Sequence, residues 1–138
     1  MFLEELSVGQ SAETRKVVTQ ADINAFADVS TDHNPVHVDP AFAATTPFGG
    51  TIAHGMLSVA YISAALGTQL PGKGCIYLGQ TVRFTAPVRP GDEVRTVITV
   101  KEILPKRRVV CTTACYVGDT QVIDGEATLM VPSNQPKA

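Results

Sequence analysis

The hydrophobic rhythm of the chain changes once, near Cys75: apolar residues before it recur every three or four positions, and after it they alternate. In TQADINAFADVS, starting at Thr19, Ile23, Phe26 and Ala27 have i, i+3, i+4 spacing. Thr19 followed three residues later by Asp22 has the form of a capping box, so a helix is predicted that ends near Ser30. A polar loop follows. Asp39-Pro40-Ala41-Phe42 then reads as a cap with proline at the first helical position, starting one or two turns. From Gly55 onward, the run through LSVAYISAALGTQLPG is apolar or small nearly all the way round, with stop signals at Gly67, Pro71 and Gly72. It predicts a helix buried on most sides.

The segments CIYLGQTVRFTAPV, DEVRTVITVKEIL, RVVCTTACYV and TQVIDGEATLMV carry β-branched and aromatic residues at period two, bounded by turn signals at Arg89-Pro90-Gly91-Asp92, Pro105-Lys106 and Gly118-Asp119. They predict four consecutive strands in an antiparallel meander, with a fifth strand near Ser11 to Val18 placed to pair with one edge. One long apolar helix and a curved antiparallel sheet fit together if the sheet wraps the helix, which makes an α+β domain. A bare sheet edge is a liability that pairing two copies removes, so a homodimer is expected. SNQPKA at the end reads as a disordered tail, leaving residues 1–132 as the domain and 133–138 outside it.

Composition narrows the class. At 138 residues and 44% apolar, the chain has the size of one domain with one core. Eleven basic residues against thirteen acidic ones give a net charge of −2, and Lys106-Arg107-Arg108 is too short a basic run to follow a phosphate backbone. Nucleic acid is therefore not an expected partner. MFLEELSVGQ is acidic and poor in apolar residues, unlike a signal peptide, and nowhere do about 18 apolar residues run uninterrupted. A soluble cytoplasmic protein with no membrane partner is expected. Cys75, Cys111 and Cys115 are odd in number and lack CxxC spacing, and Cys111 and Cys115 share a face if both lie on one strand. They read as reduced core residues.

Candidate chemistry gathers in STDHNPVH, residues 30–37, which holds two of the three histidines and a carboxylate around an Asn-Pro break. Asp32 and His37 are five positions apart, about 140° on a helix and on opposite faces of a strand, so neither regular element brings them together. Pro35 supplies a bend that does. As plain structure, Asp32 is a turn residue making an Asx-type bond and His37 a satisfied, half-buried histidine. As chemistry, they are an acid and a base on one loop, complemented by His54-Gly55 opening the apolar helix, where unpartnered N–H groups and the helix dipole favour developing negative charge. These are parts suited to a thioester-activated acyl chain. A metal site built on His33 and His37 with Asp32 and His54 is disfavoured, because Pro35 breaks the helix that would align the imidazoles. Gly49, Gly50 and Gly55 form no GxGxxG, and no G-x-S-x-G elbow is present.

The run FADVSTDHNPVHVDPAFA resembles the signature of the MaoC-like (R)-specific enoyl-CoA hydratases, in which a helix leads into a D-x-N-P-x-H loop and a short helix with small residues. The resemblance continues through TIAHGMLSVAYISAALGTQLPGKGCIYLGQTVRFTAPVRPGDEV and covers roughly residues 5–132. It implies a single hot-dog domain, a curved antiparallel sheet around a long central helix. It also implies hydration of a trans-2-enoyl-CoA to the (R)-3-hydroxyacyl-CoA with no cofactor beyond the coenzyme A of the substrate. By resemblance, Asp32 and His37 match the catalytic pair, Asn34 the residue that shapes their loop, and Gly55 the backbone donor to the thioester carbonyl. Ser63, Leu66 and Val131 match residues lining the acyl tunnel, while their alternative reading is ordinary core packing. Where many members have glycine before the aspartate, this chain has Thr31, which bears on local backbone shape only. His33 falls at a variable position and is read as non-catalytic.

Other functions compete for the same residues. A MaoC-like dehydratase or hydratase acting on another acyl carrier or a branched acyl-CoA would use the same site. A hot-dog thioesterase usually carries its carboxylate on the central helix, and between Met56 and Leu70 this chain has neither Asp nor Glu. A non-catalytic acyl-binding module has no use for Asp32, Asn34, Pro35 and His37 together.

Overall fold

Alternation along the C-terminal strands gives the sheet one dry face. In the computed structural model, whose described residues are 1–135, strand β3 (Glu93–Leu104) turns Val94, Thr96, Ile98 and Val100 inward. Strand β4 (Arg108–Val117) does the same with Val109, Cys111, Thr113 and Cys115. With β1 (Ser11–Val17), β2 (Ile76–Phe84) and β5 (Thr120–Met130) they form one antiparallel sheet in the order β1-β3-β4-β5-β2. Burial pushes the Cys111 thiol up to about 11 and raises those of Cys115 and Cys75 too, so all three cysteines, which are free, are held as thiols.

The sequential pairing expected of a four-strand meander holds only for β3, β4 and β5. Strand β2 is not beside β3. One edge of β3 is taken by its hairpin with β4 and the other by β1, with Ser11 opposite Thr99 and Val17 opposite Glu93. The free edge of β5 is what remains, and β2 takes it, with Ile76 opposite Met130 and Phe84 opposite Ile123.

Helix α1 (Gln20–Ser30) begins in a reciprocal capping box: the Asp22 N–H donates to Thr19 Oγ1 at 3.1 Å and the Thr19 N–H to Asp22 Oδ2 at 3.0 Å. It buries Ile23 and Ala27. The stretch expected to be a loop contains one further turn, α2 (Pro35–Val38), because Pro35 stands at its start, where a missing N–H costs nothing. Helix α3 (Pro40–Ala43) follows, capped by Asp39 Oδ1, which accepts from the N–H groups of Ala41 and Phe42 at 3.1 and 3.2 Å.

Helix α4 (Gly55–Thr68) lies against β3, with contacts to β1 and β4, and buries Leu57, Ser58, Ile62, Ala65 and Leu66. Its opposite face, with Met56, Ala60, Ser63, Ala64 and Gly67, is exposed, so burial on most sides is corrected to burial on one. The reason is width: five strands about 4.8 Å apart span roughly 20 Å, and a helix with side chains is about 10 Å across. No helix among the described residues is long and apolar enough to cross a membrane. At the C-terminus the Ser133 hydroxyl and the Asn134 N–H both donate to Glu4. The rest of the expected tail, 136–138, lies outside the described residues.

Candidate active site

The loop after α1 is built by short-range hydrogen bonds from its own side chains. Thr31 closes α1 in the left-handed conformation (φ 66°), the conformation glycine adopts without penalty. The Asp32 N–H then donates to Ser30 Oγ at 3.1 Å, the Asn34 N–H to Asp32 Oδ1 at 3.2 Å, and the Val36 N–H to Asn34 Oδ1 at 3.3 Å. Both readings of Asp32 are therefore compatible: one carboxylate oxygen makes the Asx-type bond, and Oδ2 remains for other work. Asn34 is the cap of α2, which is how it shapes the loop. The His33 ring turns toward Asp28, 3.9 Å away.

Long-range bonds then bring this loop to the start of α4. His37 Nδ1 lies 2.8 Å from the Ile52 carbonyl, while the Ile52 N–H donates to the Val36 carbonyl at 3.2 Å. Gln20, at the start of α1, ties both sides: its Nε2 donates to the His37 carbonyl at 2.9 Å and its Oε1 accepts from the Thr51 hydroxyl at 2.8 Å. His54, buried at 3% exposure, stacks on His37 with 3.8 Å between ring centroids. Its Nε2 lies 3.0 Å from the Asp32 carbonyl oxygen. Neither Gln20 nor the ring of His54 was assigned a role from sequence. His54 borders Gly55 in the HGM run, which was the available signal; Gln20 offered none, since its partners are 17 and 31 residues away.

A cavity of about 420 Å³ opens between the first turn of α4, the end of β2 and the start of β5. Its wall includes His37, Ile52, His54, Gly55, Ser58 and Phe84, with Phe48, Met56, Val88, Val122 and Ile123 making it mostly apolar. Gly55 is the first residue of α4, and its N–H has no acceptor among the described residues. The Phe84 ring rests on it: a Cβ at Gly55 would lie 2.5 Å from Phe84 Cε1, so a side chain there would displace the ring.

The structure thus brings Asp32, His37 and Gly55 to one place, with Asn34 behind them. Ser63 sits on the exposed face of α4, whereas Leu66 and Val131, at 1% and 0% exposure, belong to the core rather than to the cavity wall. Asp32, His37 and His54 hold potential ligand atoms within 4.8 Å of one another. The stacked imidazoles set their in-plane lone pairs side by side, while zinc requires donors converging at about 2.0–2.1 Å on one centre. That arrangement fits groups able to pass a proton better than it fits a tetrahedral metal site.

A sheet of five antiparallel strands with a central helix whose first turn opens into an apolar cavity defines a hot-dog domain. Residues 4–124 match the family model described as the MaoC like domain, and the chain belongs to that family. It is 48% identical over 133 residues to the (R)-specific enoyl-CoA hydratase of Rhodospirillum rubrum, covering 96% of this chain and 92% of the relative. The 3-hydroxybutyryl-CoA dehydratase of Methylorubrum extorquens is 45% identical over 138 residues, covering 98% and 87%. Among solved structures, the unliganded R-hydratase PhaJ1 from Pseudomonas aeruginosa superposes with a TM-score of 0.93 at 50% identity, covering 99% of this chain and 91% of that one.

The left-handed threonine generates a test of the loop. Thr31→Gly should raise stability in urea denaturation by about 1 kcal/mol, because a β-branched residue is costly at this φ. Turnover should stay near that of the unaltered protein. A loss of stability would show that Thr31 is held by contacts rather than strained.

Proposed function

We propose that this chain catalyses the reversible (R)-specific hydration of trans-2-enoyl-CoA to (R)-3-hydroxyacyl-CoA. The observation that carries the reading is that His37 and Gly55 line one apolar cavity while a carboxylate oxygen of Asp32 lies within 4.8 Å of a His37 ring nitrogen, and the relatives that share the family are named for this reaction or its reverse. The enoyl thioester enters with its carbonyl oxygen toward the Gly55 N–H and the positive end of α4. Water adds across C2=C3: its oxygen bonds to C3, the π electrons shift toward the thioester carbonyl, and C2 takes a proton as the enolate collapses. The negative charge that gathers on the thioester oxygen is stabilised at the helix start, where one such donor is worth about 10²- to 10³-fold in rate. The His37 Nδ1 faces a carbonyl and must carry the hydrogen, so Nε2 has the free lone pair. Nε2 and the Asp32 carboxylate hold one water between them, remove its proton and return a proton to C2. The reaction balances with water alone, and no redox group or metal takes part; coenzyme A arrives with the substrate.

The same reading assigns the acyl chain to the cavity. Ser58 lines it, and Ile62 and Leu66 follow on the same buried face of α4, so we place the closed end of the acyl site there. We also place a homodimer at the β2 edge. The β1 edge is guarded by charge, with Arg15 bonded to Glu93 and Arg95 to Glu13, both at 2.9 Å. Strand β2 instead presents Ile76, Leu78 and Phe84, exposed at 56%, 47% and 53%.

Four outcomes are expected. Incubated with crotonyl-CoA, the protein should consume the enoyl absorbance and yield the (R)-product. Asp32→Asn and His37→Gln should each lower kcat by roughly 10²- to 10⁴-fold with circular dichroism unchanged, and His33→Ala should have little effect. Normal turnover by either of the first two variants removes the pair from the mechanism. Leu66→Ala should cost about 2 to 5 kcal/mol of stability and shift kcat/KM toward substrates of about eight or more carbons, each methylene adding up to roughly 1 kcal/mol of burial. Parallel profiles for four- to ten-carbon substrates would make Leu66 a core residue only. Light scattering at micromolar concentration should give a dimer, and Leu78→Lys a monomer; a monomeric unaltered protein contradicts the β2 interface.

A further inference from the structure

We infer that His54 is a positioning residue that locks the Asp32 backbone and the His37 ring into one unit with the start of α4. The inference rests on the reading that Asp32 and His37 carry hydration. Helix α4 does not need the His54 side chain, which makes no cap bond to the first turn. Burial to 3% exposure places a polar ring where it must be satisfied or costly. Its Nε2 meets the Asp32 carbonyl oxygen at 3.0 Å, one face lies on His37 at 3.8 Å and 27°, and Phe26 approaches edge-on at 4.9 Å and 61°.

These contacts determine where the hydrogens sit. A carbonyl only accepts, so His54 Nε2 carries the hydrogen. Nδ1 is buried with no partner among the described residues, and a hydrogen there would be an orphaned buried donor. His54 is therefore the Nε2–H tautomer, and His37, whose Nδ1 faces the Ile52 carbonyl, is the Nδ1–H tautomer. Packed around the His54 ring are Phe26 from α1, His37 from α2 and the main chain of Asp32, with an Asp32 carboxylate oxygen within 4.8 Å of a His54 nitrogen.

The consequence is geometric. The Gln20 and His37 bonds anchor the segment at His37, whereas the side-chain bonds at Asp32 itself reach only Ser30 and Asn34. The bond from His54 ties that loop to the residue preceding Gly55, so it sets the distance from the carboxylate to the N–H that receives the thioester carbonyl. The stack does the same for the His37 ring. Misplacement of reacting groups by about 1 Å can cost on the order of 10²-fold in rate without weakening binding.

Two substitutions separate the links. His54→Phe keeps a flat ring against His37 and loses the donor to Asp32; His54→Gln keeps an amide donor and loses the stack. With crotonyl-CoA, each should lower kcat by about 10- to 100-fold while KM changes less than about threefold, and His54→Ala, which loses both, should fall further. Asp32→Asn and His37→Gln are assayed in parallel. If those two are inactive while His54→Phe and His54→Gln turn over normally, the inference fails and the reading of the site stands. If those two remain active, the reading itself fails. Long-range proton–nitrogen NMR on the unaltered protein decides even if the His54 variants do not fold: an Nδ1–H tautomer at His54 overturns the inference, and Nε2–H at His54 with Nδ1–H at His37 supports it.

Discussion

One helix cannot cover five strands, and the site depends on that mismatch. Because α4 packs chiefly against β3, with β1 and β4 beside it, β2 at the far edge is left largely exposed, while the inward residues of β5 stay buried. The consequence is an apolar space bounded by α4 on one side and by Phe84, Val122 and Ile123 on the other. The same mismatch leaves β2 as an apolar edge. A protein that filled this space with side chains would gain burial and lose the room for a small-molecule ligand.

Within that space, the polar groups are few and each has a fixed supply of partners. The first turn of α4 opens onto the cavity, and its unmet N–H groups, that of Gly55 among them, are donors that the helix geometry guarantees. The acid and base arrive from a different direction, on the segment joining α1 to α3. That segment is ordered by two kinds of bond: those from Ser30, Asp32, Asn34 and Asp39 span two or three residues and form locally. Those from Gln20, His37 and His54 span fifteen to thirty-one residues and exist only once α1, α2 and the start of α4 have packed. The local bonds give the loop its shape, and the long ones give it its address. Carboxylate, imidazole and helix start are thereby held by the fold instead of by the substrate, which is the condition for electrostatic stabilisation without reorganisation.

Much of this was legible in the sequence, for identifiable reasons. The Thr19–Asp22 box, the Asp39-Pro40 start and the limits of the apolar helix depend on contacts a few residues apart, so residue types at short spacing determined them. Asp32, Asn34, Pro35 and His37 were recognisable because their bend is also local, and alternation identified four strands because burial of one face is written at period two. What only the tertiary structure decided involves competition between distant partners. Strand order depended on β1 and β4 occupying both edges of β3, which moved β2 to β5. The exposed face of α4 depended on the relative widths of helix and sheet, and the burial of Leu66 and Val131 on which side of α4 the cavity lies. The work of Gln20 and His54 could not be read from a period or a motif, because each meets partners that are close only in the folded chain.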